Sequence, residues 1–264
     1  MKLFVESIAI LGPGLSGWPA GRAVLAGEKI YEPVPLAPPV ADLLPAVERR
    51  RTGSIVKLAL AVGHAALASA GRPVDSVATV FVSSGGDGDV INDICVTLAG
   101  SERQVSPTRF HNSVHNAPSG YWGIATHSHH PSISLCGFEW SFAIGLLEAA
   151  SQLHVEREAV LLVAYDTPYP EPLGNVRRVV EPFGTALLLT HDRTNGSMAE
   201  LEVSLDTHAQ EITRMSGVEL EHLRTGNPCA RGLPLLAALA GARPQRVSLE
   251  RSAGQTLSVG VRLF

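Results

Sequence analysis

Apolar strands alternating with apolar-faced helices predict a layered α/β fold for this chain of 264 residues. Residues 77–83 (VATVFVS), 159–164 (AVLLVA) and 184–190 (GTALLLT) are short, nearly continuous apolar runs. That is the pattern of sheet strands covered on both faces. Between them, apolar residues recur at helical spacing: Ile55, Leu58, Ala59, Val62, Ala65 and Ala66 in one segment, Phe142, Ile144, Leu146, Leu147, Ala150 and Leu153 in another. A hydrophobic content of 45% against 17% charged residues easily fills a core.

Taken in order, residues 4–11 form a first strand ending in Gly12-Pro13-Gly14. The turn GPGLSG is followed by Trp18-Pro19 and not by a long apolar helix, which argues against a dinucleotide-binding turn. Residues 30–45 carry Pro33, Pro35, Pro38, Pro39 and Pro45 and read as an extended covering loop. Gly71 stops the helix over residues 54–70. His64, set among alanines inside it, is given no role. The turn at residues 84–89 (SGGDGD) has two uses: binding phosphate through backbone N–H groups, or a hard cation through Asp87, Asp89 and Asp93. The favoured reading is a helix-entry loop with Asp89 as the cap of a helix over residues 90–98. Pro107 is expected to close the helix before it, and residues 113–126 to form a small-residue helix. Pro131 then ends the loop THSHHP, and Ile133, Ser134 and Leu135 make a short strand, with Gly137 at the turn into the next helix. Residues 198–204 add a strand, with Asn195-Gly196 as the tight turn before it. A helix over 232–240 and a hairpin of residues 246–250 and 256–263, turning at Ser252-Ala253-Gly254, close the chain.

Composition excludes several functions. The net charge is −4 and no basic block appears, so nucleic acid is not an expected partner. The run Arg49-Arg50-Arg51 reads as a solvated helix end or a partner contact. Cys95, Cys136 and Cys229 are odd in number and widely spaced, without CxxC, which suits neither a disulfide framework nor a zinc knuckle. No apolar run approaches about 18 residues, and Glu6 interrupts the apolar amino terminus. A soluble, cytoplasmic protein is expected, with no membrane partner. His111, His115, His127, His129 and His130 crowd the central block. Apart from Cys136, no carboxylate or thiolate stands near them at ligand spacing, so no metal is expected, nor any cofactor. A surface turn at a subunit contact is the better reading of residues 127–130.

A strand running into a tight turn and a buried helix is where several enzyme classes place a nucleophile, because the helix N-terminus favours a thiolate or an oxyanion. Here that turn reads Leu135-Cys136-Gly137-Phe138-Glu139. The stretch HPSISLCGFEWSFAIG resembles the nucleophile region of the β-ketoacyl synthases of the thiolase fold, whose pattern is GPS-[IV]-x-x-x-x-A-C-[AST]-[ST]-G followed by I-G and a helix. Pro131-Ser132 matches the PS, and Ile144-Gly145 the IG. Counting back from Gly145, the synthase cysteine falls on Gly137, and the strand is shorter. SSGGDGDVINDI resembles the turn after a synthase strand, and Val105-Ser106-Pro107 its I-S-P. The resemblance spans roughly residues 1–195, with a weaker echo at the carboxyl end. It is strongest to the short synthase-like proteins called chain-length factors, which accompany true synthases in aryl-polyene pathways. The two catalytic histidine motifs of a full synthase, H-G-T and N-x-x-x-G-H, are absent; His191, His208 and His222 lack the flanking residues.

The resemblance implies a thiolase-like layered α/β/α fold with a strongly reduced second half. It would be a single domain over 1–264, divided into a synthase-like half at 1–206 and a reduced terminal helix and hairpin at 207–264. It implies a non-catalytic partner of a β-ketoacyl-ACP synthase in fatty acid or polyene biosynthesis. Ser132, Ile133, Ser134 and Leu135 would pair with the catalytic subunit, and Phe138, Trp140 and Phe142 would shape its acyl tunnel. No catalytic residue is expected, with Gly137 in the nucleophile position. Acyl carrier protein would be met indirectly. Cys136 is the fallback nucleophile if the turn shifts by one residue, although a shift of one on a strand reverses the side chain's face. Two other readings stay open: a stand-alone acyltransferase or hydrolase pairing Cys136 with His111, His115 or His127, and a homodimeric acyl-binding scaffold.

Overall fold

A computed structural model describes residues 1–101, 103–156, 158–206, 210–241 and 245–264; His208 lies outside them. The chain runs through β1 (Lys2–Gly12), β2 (Leu15–Ser16), α1 (Trp18–Leu25), α2 (Ala46–Arg51), α3 (Ser54–Ser69), β3 (Ala78–Val82), α4 (Gly88–Ala99), α5 (Pro107–Asn112), α6 (Ala117–Thr126) and β4 (Ser132–Leu135). A 3-10 turn at Phe138–Trp140 leads into α7 (Ser141–Glu156), β5 (Val160–Asp166), α8 (Leu173–Val176), β6 (Phe183–Thr190), β7 (Ala199–Leu205) and α9 (Val218–Gly226). A second 3-10 turn, Cys229–Gly232, precedes α10 (Leu233–Ala240), β8 (Gln245–Ser252) and β9 (Gln255–Leu263).

The strands form one nine-stranded sheet in the order β4-β3-β5-β6-β1-β7-β9-β8, with β2 paired to β1. β4, β3 and β5 are parallel, whereas β5–β6 and every later pairing on the path is antiparallel. β1 is long enough to serve two neighbours. Its first residues pair with β7, and those from Phe4 onward pair with β6 across a register shift between Val5 and Ser7.

Alternation along the central strands sends their side chains to two cores. On one face Phe81, Leu161, Val163 and Tyr165 meet Leu58 and Val62 of α3 and Trp122 of α6. The two helices cross closely because Gly63 has no side chain: a Cβ there would lie 2.9 Å from Trp122 Cζ3. On the other face Val80, Val82, Leu162 and Ala164 meet Phe142, Leu146 and Leu153 of α7. β7, β9 and β8 pack on the far side of α7 and α10, placing Val203, Val247, Leu249, Leu257 and Val259 in that same core. The one sheet thus curls round α7, which touches both β3 and β8, and the succession across the molecule is helix, sheet, helix and the returning end of the same sheet. The outer face of strands β7, β9 and β8 carries Glu202, Arg246 and Arg262, with Arg246 paired to Glu202 at 3.4 Å and Lys2 of β1 paired to Glu200 at 2.7 Å. Charged pairs of this kind stay hydrated and need no covering helix.

Several local expectations are corrected. Asp87, not Asp89, caps α4, its Oδ1 accepting the Val90 N–H at 3.1 Å. Pro107 opens α5 at the start of that helix, where its missing N–H is harmless, and does not close the preceding helix, which ends at Ala99. The segment expected as one helix over residues 113–126 begins only at Ala117, after a break from α5. β6 and β7 are not neighbours across the Asn195-Gly196 turn, because β1 lies between them. The helix α9 had no clear signal: only Leu220, Leu223 and Arg224 are buried in a mostly charged segment. Among the described residues no helix is long and apolar enough to cross a membrane.

Candidate functional site at the β4–α7 elbow

The carboxyl ends of the parallel strands β3, β4 and β5 converge on one end of the sheet, and there the conspicuous polar groups collect. β5 ends at Asp166, which is 1% exposed. Its Oδ1 accepts three hydrogen bonds at 2.9 Å: from the Ser83 hydroxyl, the Ser84 N–H and the Ser84 hydroxyl. One buried carboxylate thus folds the whole SSGG turn that leaves β3. Burial pushes the Asp166 carboxyl above its usual range, outweighing the hydrogen bonds that favour its ionised form. Asn227 ties the carboxyl-terminal part of the chain to this point. Its Nδ2 donates to the carbonyls of Asp166 (3.3 Å) and Glu181 (2.8 Å), and its Oδ1 accepts the N–H groups of Cys229 and Ala230. The buried Cys229 thiol donates to the Val82 carbonyl at 3.6 Å, and burial pushes its pKa well up.

Three side chains then reach the carbonyls of the SSGG turn. His115 Nε2 lies 3.1 Å from the Ser83 oxygen. The exposed Cys136 thiol donates to the Ser84 oxygen at 3.2 Å. Arg177 Nη1 donates to the same oxygen (3.3 Å), to the Ser84 hydroxyl (3.1 Å) and to the Tyr169 hydroxyl (2.9 Å). Tyr169 itself lies flat on the turn, which is possible only because residues 85 and 88 are glycines; a Cβ on Gly88 would stand 2.3 Å from its ring.

The elbow proper follows β4. Gly137 has an ordinary negative φ of −118°. The left-handed residue is the next one: Phe138, at φ 54°. A non-glycine residue in that region is strained and marks a position that the surrounding structure holds in place. Gly137 stands in the turn as the sequence predicts, and the left-handed residue follows it. Residue 137 has no room for a thiol-bearing side chain. A Cβ there would lie 2.6 Å from Ile144 Cδ1 and 3.0 Å from the Ser141 Cα. Gly137→Cys is therefore expected to destabilise the protein by about 1–3 kcal/mol, read from a thermal melt, as for other overpacking changes.

The Phe138 ring is 53% exposed and stacks on the Arg177 guanidinium, whose carbon is 4.1 Å from the ring centroid. An ion-pair chain secures that stack. Arg177 Nη2 bonds Glu139 Oε1 at 3.1 Å, Glu139 Oε2 accepts from Arg231 at 3.2 Å, and Arg231 reaches Glu250 at 2.7 Å. Four elements far apart in sequence are joined in this way. Tyr169, Arg177, Asn227, Arg231 and Glu250 are residues that reading the sequence missed, because their partnership is created only by the return of the chain.

The other predicted residues separate into groups. Ser132 to Leu135 form the sheet's outer strand, with the Ser132 hydroxyl bonded to Thr79 and that of Ser134 to Ser119. Trp140 is half-buried. Phe142 is a core residue, 1% exposed and pressed against Gly232, so it does not reach an interface. His111 stacks edge-on against Tyr121, and His115 serves the Ser83 carbonyl. Among the described residues no imidazole hydrogen-bonds Cys136, so the structure assembles no cysteine–histidine pair. Asp93 pairs with Arg109 at 2.8 Å while Asp87 caps α4, so the acidic turn is used structurally. Among the described residues no group of three His, Cys, Asp or Glu is placed to hold a metal ion.

A profile described as beta-ketoacyl synthase, N-terminal domain, matches residues 26–249. No protein of curated function matches the chain. Among solved structures, the ketosynthase ApeO in complex with its chain length factor ApeC from Xenorhabdus doucetiae contains a chain 24% identical to this one. The match covers 98% of this chain and 99% of that one, with a TM-score of 0.75. The ishigamide ketosynthase/chain length factor matches at 13% identity, covering 100% of this chain and 99% of that one, with a TM-score of 0.74. AntDE:AntF, a type II PKS acyl-carrier protein in complex with its ketosynthase, matches at 10% identity, 100% and 99% coverage and a TM-score of 0.76. At these identities the likeness establishes the fold, the thiolase-like α/β fold of ketosynthases.

Proposed function

The chain belongs to the β-ketoacyl synthase N-terminal-domain family, and from that membership we propose that it is a non-catalytic, chain-length-factor-like partner of a β-ketoacyl-ACP synthase. It pairs with the catalytic subunit through β4 and shapes that subunit's acyl tunnel, meeting acyl carrier protein only through it. The observation that carries this reading is the elbow. Condensation needs a thiolate at the strand-to-helix turn and a donor set around the thioester carbonyl. Here the turn presents a phenyl ring under a guanidinium, and among the described residues no imidazole is joined to Cys136.

The surface supports a partner. β4 is an edge strand, and an uncovered edge is a template for another strand. Of the neighbouring helices α6 packs on β4, α5 meets α6 through His111 and Tyr121, and α4 packs on α5; on or next to these helices Val96, Leu98, Phe110, Val114 and Ile124 are exposed. Phe110 alone is 70% exposed. Apolar side chains left in water on neighbouring elements beside an open edge fit a protein interface. The ketosynthase/chain length factor assemblies named among the similar structures add support for a heterodimer within a polyketide or polyene pathway. We read the chain as one thiolase-like domain whose second half is reduced, acting in the cytoplasm.

Co-expression with a catalytic synthase and native mass measurement test the reading. A one-to-one heterodimer, inactive when the synthase's cysteine is removed, is the expected result. A chain that purifies alone and becomes acylated at Cys136 would overturn it in favour of a stand-alone acyltransferase; a stable acyl-binding homodimer would favour a scaffold. Within the heterodimer, Phe138→Ala or Trp140→Ala is expected to lengthen the products, read by mass spectrometry. Unchanged lengths would remove these aromatics from the tunnel.

A further inference from the structure

Two motifs of the sequence have no part in the elbow: the prolines of residues 30–45 and the run Arg49-Arg50-Arg51. The structure brings them together. The proline-rich segment is fastened at its start. The Gly14 N–H donates to the Val34 carbonyl at 2.7 Å, and the Tyr31 hydroxyl donates to the Pro13 carbonyl at 2.8 Å. From Pro35 to Val40 no backbone group is hydrogen-bonded to another among the described residues, and the segment belongs to no helix or strand.

Its course is nonetheless fixed. A proline ring holds φ near −65°, and the residue before a proline is pushed into extended conformations. Of residues 33–39, only Leu36 is neither a proline nor followed by one. Such a chain takes the left-handed extended form with three residues per turn. Burial follows that period. Leu36 and Pro39 are half-buried, with Leu36 packed on the core beside α3. Val34, Ala37 and Val40 make a second row, all exposed, the two valines at 60%. Pro35 and Pro38, a P-x-x-P pair, make an exposed third. At the far end Asp42 pairs with Arg49 at 3.1 Å, which holds the basic end of α2 beside the segment. Arg51 pairs with Glu48 at 3.3 Å. Arg50 is exposed and makes no ion pair among the described residues.

A segment of this kind is ordered before it binds. A partner that stacks rings on its prolines and donates to its carbonyls loses little entropy in fixing it. We propose that residues 33–40 are a docking strap for a second protein, one whose groove of aromatic side chains takes Pro35 and Pro38 and whose flanking carboxylates take Arg50. The strap is fastened to the β1–β2 turn, and β1 lies four places from β4 in the sheet, so the proposal does not depend on pairing through β4.

The intact chain is titrated into an SH3 domain with carboxylates beside its groove, and binding is read from the fluorescence of the groove's tryptophan. Saturable binding is expected. The double variant Pro35→Ala/Pro38→Ala should weaken it at least about tenfold, and Arg50→Glu at least about threefold. The altered side chains are exposed, so both variants should melt close to the native chain. Arg50→Glu leaves every proline in place and decides the matter should the double variant fail to fold. No saturable binding, or an affinity that either folded variant leaves unchanged, overturns the proposal and makes the segment a covering loop only.

Discussion

Ser134→Pro is expected to separate the chain from its synthase partner while leaving the chain itself folded. Thr79 and Ser83 donate to the carbonyls of Pro131 and Leu135, so those positions, and Ile133 between them, turn their backbone groups toward β3. Ser134 turns its own groups outward, toward the place of a partner strand. Proline there removes an outward donor and sets a ring against the incoming strand. The binding constant should weaken by roughly 10- to 100-fold, equivalent to about 1.4–3 kcal/mol. The melting temperature of the isolated chain should fall far less, because the intramolecular loss is the Ser134–Ser119 hydroxyl contact. Phe110→Asp gives an independent version of the test. Its ring contributes little to the core, but a carboxylate there should oppose an apolar interface. Titration calorimetry or analytical ultracentrifugation would read either result. A heterodimer of unchanged affinity in both variants would show that another face carries the interaction.

Asp166→Ala is expected to give the largest loss of stability. The substitution strands the Ser83 and Ser84 hydroxyls and the Ser84 N–H, all inside the protein. Buried donors without partners cost about 1–3 kcal/mol each, with some relief from rearrangement, so roughly 3 kcal/mol or more is expected. In a chain of this size that corresponds to a fall of roughly 6–12 °C in melting temperature. Asp166→Asn separates charge from hydrogen bonding. Burial raises the Asp166 pKa, so the folded state holds this proton more tightly than the unfolded chain does. The stability gained from that proton is present in acid and is lost as pH rises from about 4 through the folded-state pKa. The asparagine variant cannot lose it, so melts over this range should show a shallower decline with pH than the native chain. Parallel slopes would mean that Asp166 stays ionised in the fold.

These two residues were not equally visible in the sequence. Ser134 was legible because β4 belongs to a local pattern, Pro131 through Leu135 running into a turn, and a resemblance carried by contiguous residues assigned it to an edge. Asp166 gave no signal beyond standing at the end of an apolar strand. Its importance comes from Ser83 and Ser84, which the parallel pairing of β3 and β5 brings beside it. The same distinction separates Phe138 from Arg177: the phenyl stands in the turn that was singled out, whereas the guanidinium reaches it from the β5–β6 connection.

What the sequence by itself determined is whatever depends on period and on near neighbours. The buried strands, the helices α3, α7 and α10, the closing hairpin and the family's nucleophile region are all written in runs of adjacent residues, where apolar spacing and turn chemistry act directly. The tertiary structure decided the rest. It kept Gly137 in the turn, where Ile144 and Ser141 leave no space for a side chain, and set the left-handed residue at Phe138, one position later. It placed β1 between β6 and β7, a matter of which edges meet when the layers close, which no local pattern encodes. It joined Glu139 to Arg177, Arg231 and Glu250, since ion pairs across long loops have no sequence period.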